Sequence, residues 1–184
     1  MKRIGVVVPT LFTRGGYLKE SLESIKKAGD AYVILMGPNV KKSSKIYESL
    51  FDLAIAEPKT GNLADKLNFA LNSFPKNVDL ITWIGDDDML SPDSLRILEE
   101  QFNADPNLVL TYGSCKYVNS KGEKIGFNRS GPWAIGLAKV GPFLAPQPGS
   151  LFSRKAFESI GGLNSNLRLA FDFDLFMALS ELGT

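Results

Sequence analysis

Three features of the chain point to an α/β architecture: a mostly parallel central sheet with helices on both faces. Short apolar, β-branched runs recur at 4–8, 31–36, 53–56 and 80–84, as they do in strands buried on both faces. Apolar stripes at helical spacing separate these runs, and Gly, Pro and Asn punctuate the junctions. Four strand–helix units in about 105 residues make an open parallel sheet the simplest packing.

The elements follow in order. The run 4–8 ends at Pro9 and is followed by Gly15-Gly16. Leu18, Leu22, Ile25 and Ala28 then form one helical face, with Gly29 where a C-terminal cap belongs. The strand 31–36 closes at Gly37-Pro38-Asn39, and a short helix through Ile46 and Leu50 leads to the strand 53–56. Leu63, Leu67, Ala70, Leu71 and Phe74 make the next helical stripe before the strand 80–84. Ser91-Pro92-Asp93 reads as an N-cap, a proline at the first helical position and an acid in the first turn, opening a helix to Phe102. A strand at 108–112 follows. Beyond 113 the pattern changes to a hairpin at 117–127 around Asn119-Ser120-Lys121-Gly122 and an irregular Gly/Pro-rich stretch at 130–149. A strand at 150–153 and helices at 155–160 and 173–182 complete the chain. With no repeat or linker, 1–184 is expected to be one domain, and the stop just after Gly183 reads as that of a C-terminally trimmed piece.

Composition narrows the chemistry. Lys and Arg number 21 against 20 Asp and Glu, so bulk charge does not suggest a nucleic-acid partner. There is no histidine, which excludes imidazole bases, His triads and His zinc sites. The lone Cys115 excludes an internal disulfide and reads as a small buried hydrophobe after the strand 108–112. No apolar run approaches the ~20 residues of a bilayer span, and Pro9 interrupts the first run too early for a signal peptide. A cytoplasmic protein is the expectation. Catalysis is left to carboxylates, hydroxyls, Lys, Arg or a metal held by oxygen.

Two acidic clusters stand out. Asp86-Asp87-Asp88 lies at the carboxyl end of a buried strand, where open α/β sheets bind ligands. Three adjacent carboxylates repel, and Mn²⁺ or Mg²⁺ with oxygen ligands would relieve them; an acidic loop capping its own turns is the alternative. Asp172 directly precedes the last helix, as either an N-cap or a general base, and Asp174 suits dipole compensation. Trp83 and most of the twelve Phe are expected in the core, whereas Trp133 stands open between packing and stacking on a ligand.

Read together with the N-terminus, these clusters resemble the inverting family 2 glycosyltransferases. The resemblance rests, in order, on Val6-Val7-Val8-Pro9-Thr10, the helix 17–25, the Asn-bearing stretch 63–71, Asp86-Asp87-Asp88 with Pro92, 146–154, Gly161-Gly162-Leu163-Asn164 and Ala170-Phe171-Asp172-Phe173-Asp174-Leu175-Phe176. It implies a GT-A fold, with a nucleotide-sugar-binding half at 1–113 and an acceptor half at 114–184. It also implies transfer of a sugar from a nucleotide-diphosphate sugar to a glycan or other hydroxyl acceptor in polysaccharide or glycoconjugate synthesis. By the same resemblance Asp86 and Asp88 would hold the metal, although counting from Pro92 and from the strand leaves their register open. Asp87 and Thr10 would meet ribose and base, and Lys66 or Lys59 the phosphates. Gln147 and Trp133 would face the acceptor, and Asp172 would be the base.

The chain departs from the family pattern after its second strand. An acid usual there is replaced by Met36-Gly37-Pro38-Asn39. Three other readings stay open: a nucleotidyltransferase, for which Arg14-Gly15-Gly16 is a faint Gly-rich basic loop; an inactive nucleotide- or glycan-binding relative; and a phosphoacceptor module, which needs acids where Pro9-Thr10 stand.

Overall fold

The computed structural model describes residues 3–183. Strand β1 (Arg3–Pro9) pairs in parallel with β2 (Ala31–Gly37) on one side and β4 (Val78–Trp83) on the other, and β2 pairs in parallel with β3 (Leu53–Ala56). The register sets Val6 beside Val33 and Thr82. Beyond β4 lies β8 (Ser150–Ser153), antiparallel both to β4 and to β5 (Leu110–Tyr112). The sheet order is β3-β2-β1-β4-β8-β5.

Alternation along the strands builds two cores. Val7, Ile34, Met36, Ile81 and Trp83 face one layer with Leu67, Phe152, Phe157 and Phe176. Val6, Val8, Val33, Leu35 and Leu80 face the other with Leu22, Ile25, Leu95 and Phe102. Helices α3 (Leu63–Leu71), α6 (Arg154–Ser159) and α7 (Phe171–Ser180) therefore cover one face, and α1 (Gly15–Ala28) and α4 (Ser94–Ala104) the other. This is the expected mostly parallel α/β sheet with helices on both faces. Truncating Phe152, fully buried between Trp83 and Phe157, to Ala is expected to cost about 3–5 kcal/mol, read by denaturant titration.

Several elements differ from expectation. Gly29 does follow α1, but its backbone is extended; its smallness serves contact, since a Cβ there would stand 3.2 Å from that of Leu95. Between β2 and β3 a short α2 (Val40–Ser43) runs into a 3₁₀ turn (Lys45–Leu50), and Ile46 is 81% exposed because the tighter turn buries Tyr47 instead. Helix α4 does not begin at Pro92: Ser91–Ser94 form a turn, with Asp93 at φ 61° in the capping position and no side-chain cap. The irregular stretch 130–149 holds the small helix α5 (Trp133–Ala138), whose Ala134 and Ala138 are buried. The hairpin forms from β6 (Cys115–Val118) and β7 (Lys124–Asn128), so Cys115 belongs to a strand of its own and is half-buried. Helix α7 starts earlier than expected and ends at Ser180 rather than near Leu182.

Candidate active site

The site lies where β1, β3 and β4 end. Gly37 is why β1 and β2 finish so close together: Thr10 N–H donates to the Met36 carbonyl at 2.8 Å, and a Cβ on Gly37 would collide with the Thr10 carbonyl oxygen. An acidic side chain at position 37 has no room in this packing. Gly37→Ala is expected to cost about 1–3 kcal/mol through overpacking, seen as a lower melting temperature.

From β1 the chain turns through Thr10, which is only 5% exposed. Its hydroxyl donates to Asp86 Oδ2 at 2.6 Å and accepts from Phe12 N–H at 2.9 Å. Arg14, just ahead of α1, donates to the Asp87 carboxylate and stands 3.8 Å from Asp86 Oδ1. Two half-turns of α1 hold the acidic loop from beneath. Ser21 Oγ donates to the Gly85 carbonyl at 3.2 Å, and Ser24 Oγ accepts from Leu90 N–H at 3.0 Å. The buried serines of α1 are thus loop anchors that periodicity alone reads as helix face.

Asp88 is the most perturbed of the three acids. Burial first, then the charges of Asp87 and Asp86, push its carboxyl above the ordinary 3.8, while a backbone hydrogen bond at Gly85 pulls the other way. Burial first, then the charge of Asp88, raises the Cys115 thiol above its ordinary value. Among the described residues no three acidic or thiol side chains converge as a metal cage. Asp86 and Asp88 nevertheless offer hard oxygen donors under mutual repulsion, a combination that a Mn²⁺ or Mg²⁺ also bound to phosphate oxygens suits.

Beside this loop opens a cavity of about 350 Å³, with Thr10, Arg14, Glu57, Asn62, Lys66 and Asp86 on its walls. Lys66 is not free there: its Nζ lies 3.0 Å from Glu57 Oε2. Glu57, just past β3, gives the pocket an acid that the turn after β2 lacks. Lys59 is exposed and does not line the cavity.

The remaining candidates come from the second half of the chain. Gln147 Nε2 donates to the Trp83 carbonyl at 2.7 Å, tying the entry of β8 to the end of β4. Trp83 itself is 6% exposed, a core residue as expected, with the Phe171 ring 6.2 Å away. Asp172 follows Phe171 inside the first turn of α7, while Ala170 occupies the capping position with no side-chain cap. The N-cap alternative for Asp172 is thereby corrected, because the helix begins one residue before it. Phe173 on its other side packs edge-on against Phe143 at 5.1 Å. Asp172 is half-buried between two anchored aromatics, and no hydrogen bond or ion pair among the described residues engages its carboxylate. Trp133, 53% exposed, opens α5 and is not drawn into this group.

Helix α3 positions this half through a connection that local pattern could not show. Asn68 donates to the Leu163 carbonyl and accepts its N–H, both at 2.8 Å, and Asn62 Nδ2 donates to the Ser165 carbonyl at 2.7 Å. The loop 161–170 before α7 is thus fastened to the helix that lines the cavity. Asn68→Ala leaves a buried N–H and C=O unpaired and is expected to cost about 2–3 kcal/mol, a melting-temperature drop of about 5–10 °C by calorimetry.

No family model matches the chain. It is 27% identical over 140 residues to a chondroitin synthase of Pasteurella multocida (strain Pm70) and likewise to a hyaluronan synthase of Pasteurella multocida. Those matches cover 76% of this chain and 14% of each relative. Among solved structures, S. aureus TarS 1-349 superposes with a TM-score of 0.73 at 14% identity, over 99% of this chain and 56% of that one, and TarS is also known in complex with UDP. A mannosyltransferase of Pyrobaculum calidifontis, in complex with GDP-Man and Mn²⁺, gives 0.62 at 16% identity over 90% and 48%. A CMP:2-keto-3-deoxy-manno-octonic acid synthetase complexed with CTP gives 0.55 at 15% identity over 98% and 87%. No described helix is long and apolar enough to cross a membrane. The chain has the GT-A fold and, in sequence and structure, resembles the family 2 glycosyltransferases.

Proposed function

We propose that this chain moves a sugar from a nucleoside-diphosphate sugar to a hydroxyl acceptor with inversion, in the synthesis of a polysaccharide or glycoconjugate. The observation that carries the reading is the run Asp86–Asp88 at the end of β4, with Asp86 on the wall of a cavity that Thr10, Arg14 and Lys66 also line; Asp172 follows Phe171, whose ring packs near Trp83 at the end of the same strand. The stretch 1–113 would bind the donor and 114–184 the acceptor.

Asp86 and Asp88 would hold Mn²⁺ or Mg²⁺, which when bound offsets the charge that gathers on the leaving diphosphate. Thr10 keeps Asp86 in place, and Asp87, next to it in the same loop, would meet the ribose. Lys66 would meet the phosphates by exchanging Glu57 for them. Asp172 would accept the acceptor hydroxyl's proton as that oxygen bonds to the anomeric carbon, while the bond from that carbon to the diphosphate oxygen breaks with its electrons leaving on the diphosphate. An unpaired carboxylate is free to take a proton. Gln147 would act indirectly, by holding the floor of the acceptor side, and Trp133 offers an exposed face for a sugar ring.

Nucleotidyl transfer is the second reading, favoured by Arg14, the basic residue ahead of Gly15-Gly16, on the cavity wall and by the likeness to the CTP-bound synthetase. A thermal-shift panel separates the two: UDP, GDP, CDP, dTDP, CTP and ATP, each with and without Mn²⁺. A ligand at about 100 times its Kd stabilises by roughly 2.7 kcal/mol. Sugar transfer predicts a Mn²⁺-dependent shift with one nucleoside diphosphate. A shift with a triphosphate alone favours nucleotidyl transfer, and no shift at all favours a relative that has lost its donor site.

A further inference from the structure

We propose that Arg14 is an exchangeable counter-ion of the acidic loop: it holds Asp86 and Asp87 while no divalent cation is bound, and passes to the donor's phosphates when one arrives. The inference rests on the donor site proposed above and adds to it a residue and an order of events.

The geometry is specific. One guanidinium nitrogen of Arg14 bonds the Asp87 carboxylate and stands 3.8 Å from Asp86 Oδ1, while the other oxygen of Asp86 is occupied by the Thr10 hydroxyl at 2.6 Å. The oxygen of Asp86 that the Thr10 hydroxyl leaves alone, Oδ1, is the one that faces Arg14. A divalent cation on that oxygen would stand beside the guanidinium, and the two positive charges would repel strongly. Arg14 is the one that can leave. Its side chain is 52% exposed and that of Asp87 50%, so their pair is screened by water and weakly held.

The cavity wall also supplies a destination for Arg14. The residue lines the same cavity as Lys66 and Asn62, which the proposed donor's diphosphate would enter. Its planar fork matches phosphate oxygens. It immediately precedes α1, whose first turn holds no acid and whose N-terminus has no side-chain cap, so nothing local draws the guanidinium back once Asp86 and Asp87 are engaged elsewhere. Lys66 stands in the same condition, paired with Glu57 at 3.0 Å. Both cavity cations are therefore held by carboxylates without ligand, which keeps the pocket's net field small until a polyanion enters.

The test is calorimetric and needs no acceptor. Mn²⁺ alone, and then UDP and GDP in saturating Mn²⁺, are titrated into the wild type, Arg14→Gln and Arg14→Lys, with a thermal melt confirming that each variant folds. Arg14→Gln is expected to bind Mn²⁺ alone at least about threefold more tightly, because its competitor is gone, and to bind the Mn²⁺–diphosphate about tenfold more weakly. Arg14→Lys, which keeps the charge without the fork, should fall between the two. Unchanged or weaker Mn²⁺ binding by Arg14→Gln overturns the counter-ion role, and unchanged diphosphate binding overturns the phosphate role. Where the wild type binds neither UDP nor GDP with Mn²⁺, CDP and dTDP are titrated in the same way, and failure of all four overturns the donor reading itself, and this inference with it.

Discussion

Asp172→Asn is expected to reduce sugar transfer by about 10²–10⁴-fold, the usual worth of a positioned general base. Donor binding should stay within about threefold, because a group that acts on the acceptor's proton works in the transition state and not on the bound nucleotide. The substitution keeps size and shape, and among the described residues the carboxylate has no hydrogen bond or ion pair to lose, so the melting temperature should hold. The paired readout matters. A fall in stability or in donor affinity, with transfer intact, would mean that Asp172 serves the helix rather than the chemistry. Phe171 on Trp83 and Phe173 on Phe143 fix the backbone on both sides, so a loss of activity cannot be assigned to a wandering helix start.

Asp88→Asn is expected to act in two opposite directions. Without metal it should raise stability at neutral pH, since it removes a half-buried charge repelled by Asp87 and Asp86. With Mn²⁺ it should weaken diphosphate binding by about tenfold or more, since it removes a charged oxygen ligand. The pH dependence follows from the direction of the shift. The folded carboxyl titrates above 3.8, so the folded state holds its proton longer than the unfolded chain does. Asp88's contribution is thus full below about pH 3.8 and is lost as pH rises through its raised value. The wild type minus Asp88→Asn difference in melting temperature should grow more unfavourable over that window, and Mn²⁺ should shrink it. A variant that is less stable than wild type in metal-free buffer at neutral pH would show that the carboxylate is held by contacts that outweigh the repulsion.

Much of the architecture was legible because burial on two faces leaves a strong mark. The runs around Val6, Val33 and Ile81 are continuous and β-branched, and each became a central strand. Where the reading slipped, a local signal was outweighed by a contact distant in sequence. Ser91-Pro92-Asp93 has the chemistry of a helix start, yet the chain spends it on a turn whose Asp93 N–H donates to Lys27 on α1. Helix α5 was hidden by the glycines and prolines around it, although Ala134 and Ala138 bury well. That β8 inserts antiparallel between β4 and β5 has no local signature at all.

The site was legible to a similar degree and for the same reason. Asp86, Asp87 and Asp88 declare themselves by adjacency, and Thr10 by its place at the end of β1. Arg14, Ser21, Ser24 and Asn68 do not, because each acts through a partner far along the chain, as with Arg14 and Asp87 at a separation of 73 residues. An arginine before a helix looks solvated until the fold sets two carboxylates before it. The family resemblance supplied the order of the motifs, but not the hydrogen bonds that join Asn68 to Leu163 or Gln147 to Trp83.

The central claim is that a nucleoside diphosphate binds with a divalent cation between Thr10, Lys66 and the Asp86–Asp88 loop. Backbone amide NMR on the chain, titrated with Mg²⁺ and then with UDP or GDP, tests it most directly. The predicted result is a set of Mg²⁺-dependent shifts centred on 10–16, 61–66 and 85–89. Shifts that centre instead on the basic cleft at the other end of β4, around Lys76, Arg154 and Lys155, would contradict it, as would shifts indifferent to the cation.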